Sequence, residues 1–300
     1  MIQANTVSSA QQNTNLRNLV AHQKNLANKA AMELATGLKT DVYMTPGAAP
    51  AKSLDLRGRL TVNEAFLTSN KVLASKLNAT SDVMTDVLGS AQDFLNLLTG
   101  GDLASTNRET LKESAKRAMT DISNMLNTTY GGEFLFSGLS VNQKPIDLDA
   151  GYVSTYLGDT TGKLTAQVDE NTTLEYGIRA DNPGFQQLLG ALSTIINTDL
   201  EAMDYGTFQT FRDAQVTAIG GANQAILSDQ TGLGDQQARL DARVERQENL
   251  FKIYNNSIHE VEGVDPEEAA IRLEGMDIQL EATFQVTARL SRMSFLNYMN

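Results

Sequence analysis

The feature that most constrains this fold is a single side-chain seam more than forty residues long. Leu56, Arg59, Asn63, Phe66, Asn70 and Leu73 open it, and Leu77, Thr80, Met84, Val87, Ala91, Phe94 and Leu98 continue it. The steps alternate between three and four, which brings all these side chains to one face of an α-helix. A seam sustained that long marks a helix packed lengthwise on other helices. At about 1.5 Å per residue, the helix predicted over residues 52–98 is roughly 70 Å long. Compact enzyme domains rarely use such a helix. Asn63, Asn70 and Thr80 on the seam suit a bundle with mixed contacts better than a simple two-helix dimer.

The same spacing recurs toward both ends. Leu16, Leu19, Gln23, Leu26, Ala30 and Leu34 predict a helix over residues 1–35, whose Asn- and Gln-rich start is helical only when packed. Gly37 then acts as a C-cap, and a Pro- and Gly-containing stretch ending at Pro50 separates this helix from the next. A third helix spans residues 106–127, with Leu111, Ala115, Ala118, Ile122 and Met125 on one stripe, and a fourth covers 185–200. Another begins near Thr207. Gly220–Gly221 either kinks it or permits close packing, and Thr231–Asp235 reads as a hinge or turn. Leu240, Val244, Gln247, Phe251, Tyr254, Ile258 and Val261 then predict a helix over 236–262. The last helix opens with Asp265 as cap, Pro266 at the first position and Glu268 completing a capping box. Leu273, Met276, Leu280 and Phe284 form one row along it, and Ile278, Ala282, Val286, Met293 and Leu296 a second. A free helix of this kind is not stable alone, so it needs a partner in this chain or in a neighbouring copy.

Between the helical halves the period changes. Gly131–Gly132 bends the chain, and a short aromatic strand through Phe134, Leu135 and Phe136 to Gly138 follows. Residues 139–184 carry β and turn features, with a hairpin of Leu164–Val168 and Thr173–Ile178 joined across Asp169–Asn171. The expected fold is therefore mainly α, an elongated antiparallel helical bundle or coiled coil with a small inserted β-rich domain. Residues 1–50 and 236–300 are expected to pair as an inner assembly domain. Residues 51–138 and 185–235 form a rod-like helical domain with short strands, and 139–184 an outward β-rich insertion.

The net charge is −12 with no basic block, which argues against nucleic acid and anionic membrane surfaces as partners. Without cysteine there are no disulfides or thiolate metal sites. No apolar run is long enough for membrane insertion, and the N-terminus lacks the basic start and apolar core of a cleavable signal peptide. His22 and His259, the two histidines, lie on different predicted helices without clustered acidic partners. No phosphate loop, dinucleotide fingerprint, calcium loop or nucleophile elbow occurs, so no catalytic, cofactor or metal residue is assigned and an enzyme is not expected. What remains is an assembly interface, for which the candidates are Leu16, Leu19, Leu26 and Leu34 near one end and Leu273, Met276, Leu280, Phe284, Leu290 and Leu296 near the other.

Four stretches together resemble the flagellin superfamily, and within it the hook-associated protein 3 or hook–filament junction family of the bacterial flagellum. They are the Asn- and Gln-rich start leading to ELATGLK, the Gly131–Gly138 segment, Tyr156-Leu157-Gly158-Asp159, and the ending from Leu280 through Ser291–Tyr298. The ELATGLK and GAAP stretches and the Asn-Tyr ending favour the junction family over filament flagellin, which stands as the nearest alternative. A secreted helical binding module is the other. The resemblance implies an inner domain of paired terminal helices, a rod domain with Phe134, Leu135, Phe136 and Gly138 opening an outer domain, and self-assembly as a ring. It further implies a place between hook-associated protein 1 and flagellin, a cytosolic export chaperone on the C-terminal helix, and export without a cleaved signal.

Overall fold

The computed structural model describes residues 2–44, 48–100 and 108–299, with side chains described at 11, 14–44, 48–100 and 108–289. Among the described residues there are six helices: α1 (Ile2–Thr36), α2 (Ala48–Gly100), α3 (Arg108–Leu126), α4 (Pro183–Asn197), α5 (Tyr205–Glu262) and α6 (Pro266–Met299). Between α3 and α4 lie three antiparallel strand pairs, β1 (Thr129–Tyr130) with β2 (Glu133–Phe134), β3 (Ile146–Leu148) with β4 (Ser154–Tyr156), and β5 (Leu164–Asp169) with β6 (Thr172–Tyr176). The molecule is thus mainly α with small strand pairs, as the long seams require. No helix among the described residues is long and apolar enough to cross a membrane.

The chain divides into two compact units, a terminal one of Met1–Asn63 with Asn249–Asn300 and a central one of Glu64–Glu248. Both α2 and α5 run from one unit into the other.

The central unit holds the hydrophobic core. Leu73, Leu77, Met84, Val87, Ala91, Phe94 and Leu98 of the α2 seam are all buried in it. They meet Ile219, Ile226, Leu233 and Leu240 of α5, with Phe136 against Phe185 edge-on at 5.8 Å between ring centres. The polar seam positions have a purpose here. The Asn70 amide donates to the Val168 carbonyl (2.8 Å) and to Gln247 Oε1 (2.9 Å), and Gln247 Nε2 donates to the same carbonyl (3.0 Å). Two buried amides on α2 and α5 therefore form a socket for the β5–β6 hairpin, which Arg243 also holds through Asp169 (3.1 Å). The seam position Arg59 proves exposed and pairs with Asp55, because the seam in this part of α2 passes through Ser53, Leu56, Leu60 and Asn63 instead.

Two stretches singled out separately turn out to be one joint. The strand ends at Phe134, one residue before the segment expected to extend it. Leu135, Phe136 and Ser137 continue as irregular buried chain, and Gly138 turns it at φ +66°. The Asp159 amide donates to the Ser137 carbonyl (2.9 Å), and the Tyr156 hydroxyl donates to the Asp159 carbonyl (3.1 Å). A Cβ on Gly138 would sit 2.5 Å from the Asp159 carbonyl oxygen, so the approach requires glycine. Burying Leu135 and Phe136 against the helices outweighs further strand pairing.

The hinge expected at Thr231–Asp235 is absent, and α5 passes through it and through Gly220–Gly221 as one helix. Glycine costs a helix about 1 kcal/mol each. Ile226, Leu233 and Leu240 recur every seven residues and are fully buried, each contributing about 1.5–3 kcal/mol, so packing wins over local preference.

Candidate assembly surface

In the terminal unit α1 and α6 pack antiparallel. Arg272 Nη1 donates to Glu33 at 3.1 Å and, two to three turns away, Thr283 Oγ1 donates to Gln23 at 2.8 Å. Leu16, Val20, Gln23, Ala27 and Ala30 of α1 and Leu273, Met276, Leu280, Thr283 and Thr287 of α6 turn inward, yet of these only Ala27 and Ala30 are fully buried. Two helices alone cover only one stripe of each other. The result is an unfinished core: Leu19 stays 46% exposed, Ile271 71%, Ile278 63% and Phe284 51%.

The other ends of α1 and α6 are tied by polar chemistry. Gly37, at φ +69°, ends α1, and its carbonyl accepts from Val264 N (3.0 Å) while Lys39 N donates to the Glu262 carbonyl (2.7 Å). The Glu262 carboxylate, 3% exposed as a residue, is the centre of this knot. It accepts from the Tyr43 hydroxyl (2.8 Å), the buried Ser53 hydroxyl, and both Nε (2.8 Å) and Nη2 of Arg57. A carboxylate at a helix C-terminus opposes the helix dipole, so it needs such partners. The bidentate Arg57 pairing, aided by the Ser53 and Tyr43 hydroxyls, overrides burial and holds Glu262 down at about 2. Burial pushes the equally enclosed Glu33 up, but two hydrogen bonds from Thr40 and the charges of Lys29 and Arg272 leave its net pKa lowered.

Of the expected interface residues, Leu16, Leu26, Leu273, Met276 and Leu280 are half-buried, while Leu19, Leu34 and Phe284 are exposed. The side chains of Leu290 and Leu296 lie outside the described residues. Phe134 is half-buried, Leu135 and Phe136 are buried, and Gly138 forms the turn described above, all in the central unit. His22 and His259 are both exposed. Asp265 caps α6 through Glu267 N (2.9 Å), but Glu268 pairs with Arg272 at 2.6 Å instead of closing a capping box, because the guanidinium one turn on offers it a charged partner.

Ser53, Arg57, Glu262 and Glu33 lie outside the seams that the sequence predicts. The signal was present: extending the seam four residues past Ile258 lands on Glu262, and three residues before Leu56 lands on Ser53. A charged residue where an apolar one is due marks a buried pair, which only the tertiary structure identifies.

Charge separates the units. The terminal unit carries 11 basic and 11 acidic residues, the central unit 13 and 25. The whole net charge of −12 therefore lies in the central unit. A neutral, apolar-faced pair of helices made from both chain ends is thus joined to an acidic, closed body.

Two family models place this arrangement. Residues 6–140 match the bacterial flagellin N-terminal helical region and residues 216–299 the bacterial flagellin C-terminal helical region. The chain belongs to the flagellin superfamily. That family consists of structural flagellar proteins and is not an enzyme class. Solved structures of flagellar proteins share the fold. Flagellar hook-associated protein-3 from Legionella pneumophila is 13% identical, with 69% of this chain and 98% of that chain covered and a TM-score of 0.59. The flagellar junction protein FlgL from Legionella pneumophila is 13% identical, with 69% and 98% covered and a TM-score of 0.54. FlgL from Bacillus cereus is 14% identical, with 64% and 98% covered and a TM-score of 0.50. No curated protein matches this chain.

Proposed function

We propose that this protein is a structural component of the bacterial flagellum that joins a hook-associated protein to the flagellin filament. The observation that carries this reading is the unfinished terminal unit. Helices more than 200 residues apart in sequence pair into a neutral surface whose apolar residues stay exposed, on a superfamily fold shared with hook-associated and junction proteins.

In this reading residues 1–50 and 236–300 supply the inner assembly domain. Leu16, Leu19, Leu26, Leu34, Leu273, Met276, Leu280, Phe284, Leu290 and Leu296 are its contacts. Each copy meets its neighbours in a ring, with hook-associated protein 1 on one side and flagellin on the other. Burying a few hundred Å² of apolar surface per copy contributes on the order of several kcal/mol at about 25 cal/mol per Å², before ordering costs. The protein acts outside the cell at the hook–filament junction and leaves through the flagellar export apparatus without signal cleavage. A cytosolic chaperone covers α6 until then, since an exposed apolar helix is an aggregation hazard. Residues 51–138 and 185–235 form the rod, and 139–184 faces outward.

Sheared, purified flagella probed with gold-labelled antibody and quantified against the hook protein test this. Label confined to the junction, at a copy number far below that of the filament subunit, is the expected result. Label along the whole filament makes the protein a flagellin, and absence from flagella overturns the flagellar reading.

A further inference from the structure

A groove of about 340 Å³ runs along α6 in the terminal unit, lined by Leu34, Ala270, Leu273 and Ile278 and by three carboxylates, Glu274, Asp277 and Glu281. All three carboxylates are exposed, and among the described residues none forms an ion pair. The one nearby cation on α6, Arg272, is committed to Glu33 and Glu268. This is an apolar floor with an uncompensated acidic rim, and Leu34 and Ile278 lie open on it.

The complement sits on α1 of the same unit. From Ile2 to Met32 that helix holds Arg17, Lys24 and Lys29 and no acidic residue. Lys29 is paired with Asp41, whereas Arg17 and Lys24 are exposed and unpaired among the described residues. They stand seven residues apart, two helical turns, on one stripe with the small residues Ala21, Asn28 and Ala31. Glu274 and Glu281 are also seven apart. Both pairs therefore span about 10 Å along their helices, so the charges fall in phase when the two stripes lie side by side. Ala21 between the cations, and Ala31 beyond them, let a helix backbone approach the groove closely.

We infer that the groove on α6 is the seat for α1 of a second copy of this chain, with Arg17 and Lys24 of one copy set against Glu274, Asp277 and Glu281 of the next. This rests on the assembly reading above and adds to it which face meets which. Basic and acidic stripes on different helices explain how a neutral unit specifies its neighbour: like faces of two copies repel, and only the α1-to-α6 contact is attractive. The exposed Leu34 and Ile278 then supply apolar burial under the charges.

Charge reversal tests the contact in cells that build flagella. Arg17→Glu with Lys24→Glu, and separately Glu274→Lys with Glu281→Lys, are expected to lower incorporation into purified flagella at least tenfold. Co-producing the two variant chains restores it, because each supplies the face the other lacks. A second measurement uses the absence of native cysteine. Within one copy, Gln23 lies level with Thr283 in the antiparallel pair, so residues 17 and 274 are roughly 20 Å apart along the axis, far beyond disulfide reach. A chain carrying Arg17→Cys with Glu274→Cys, or Arg17→Cys with Glu281→Cys, is expected to give disulfide-linked multimers in assembled flagella. Reversal variants that incorporate at the wild-type level, or co-production without rescue together with no cross-link from either cysteine pair, overturn the contact. Wild-type protein absent from flagella overturns the assembly reading itself, which the same preparation reports.

Discussion

The two units of this chain use the same structural material for opposite ends. In the central unit, α2 and α5 bury Leu77, Met84, Val87, Leu98, Ile226, Leu233 and Leu240 against α3, α4 and the strand pairs, and little apolar surface is left over along the seam. In the terminal unit the only fully buried apolar side chains among the described residues are Ala27, Ala30, Ile258, Val264 and Ala269. Its order comes from a polar knot at one end and one shared helical stripe along the rest. One unit is complete as a single chain and acidic; the other is neutral and leaves Leu19, Ile271, Ile278 and Phe284 in solvent. The difference teaches that helix length and seam do not distinguish a finished core from an interface. The third and fourth packing partners do, and for the terminal unit we propose that these are other copies.

The comparison breaks most sharply through core truncation. Phe136→Ala removes a fully buried ring from the central unit and is expected to cost about 3–5 kcal/mol, read as lost amide-exchange protection across α3, α4 and the core part of α2. An equal loss in α1 and α6 would show that the two units unfold as one.

Glu262→Ala strikes the other unit. It strands the Arg57 guanidinium and the buried Ser53 hydroxyl, and about 2–3 kcal/mol is expected to disappear from α1, α6 and the 37–44 loop while the central core keeps its protection. Acid makes the same cut without mutation. Glu262 is held at about 2 against an ordinary 4.5, so its folded value is the depressed one. Its stabilisation is complete above about pH 4.5, declines below that and is lost as pH falls through 2. Exchange measured from pH 5 to 2 is expected to show the terminal unit loosening, and Glu262→Gln should flatten that part of the profile.

Gly232→Ala lies in open space on the exposed side of α5 and is expected to raise stability by about 0.5–1 kcal/mol, as thermal melting would show. A loss instead would mean the hinge read from Thr231–Asp235 has a role the continuous helix hides.

The smallest effect on the isolated chain carries the largest effect on assembly. Leu280→Asp, at a half-buried position of α6, is expected to cost under about 1 kcal/mol of central-unit stability yet block incorporation into flagella. Wild-type incorporation with normal motility would remove the α6 row from the interface.

Much of this architecture was legible because periodicity is a local property. The α2 seam, the hairpin near Asp169 and the cap at Asp265 are written in residues a few positions apart, and each formed where its spacing placed it, except that the start of the seam passes through Leu60 and leaves Arg59 exposed. The terminal row of Leu273, Met276 and Leu280 was legible in the same way. What the sequence could not carry is which distant residues share a space. Asn70 reads as a sign of mixed bundle contacts, but only the fold names its partners, the Val168 carbonyl and Gln247. Gly232 and Gly234 read as a hinge and are carried through by Leu233 between them. Glu262 has no partner within reach in the sequence and is the centre of the terminal knot, because its four donors come from a loop and a helix more than 200 residues away. Local spacing determines which face of a helix is apolar. Tertiary structure decides what covers that face, because burial free energy depends on every atom that reaches it, whatever its distance along the chain.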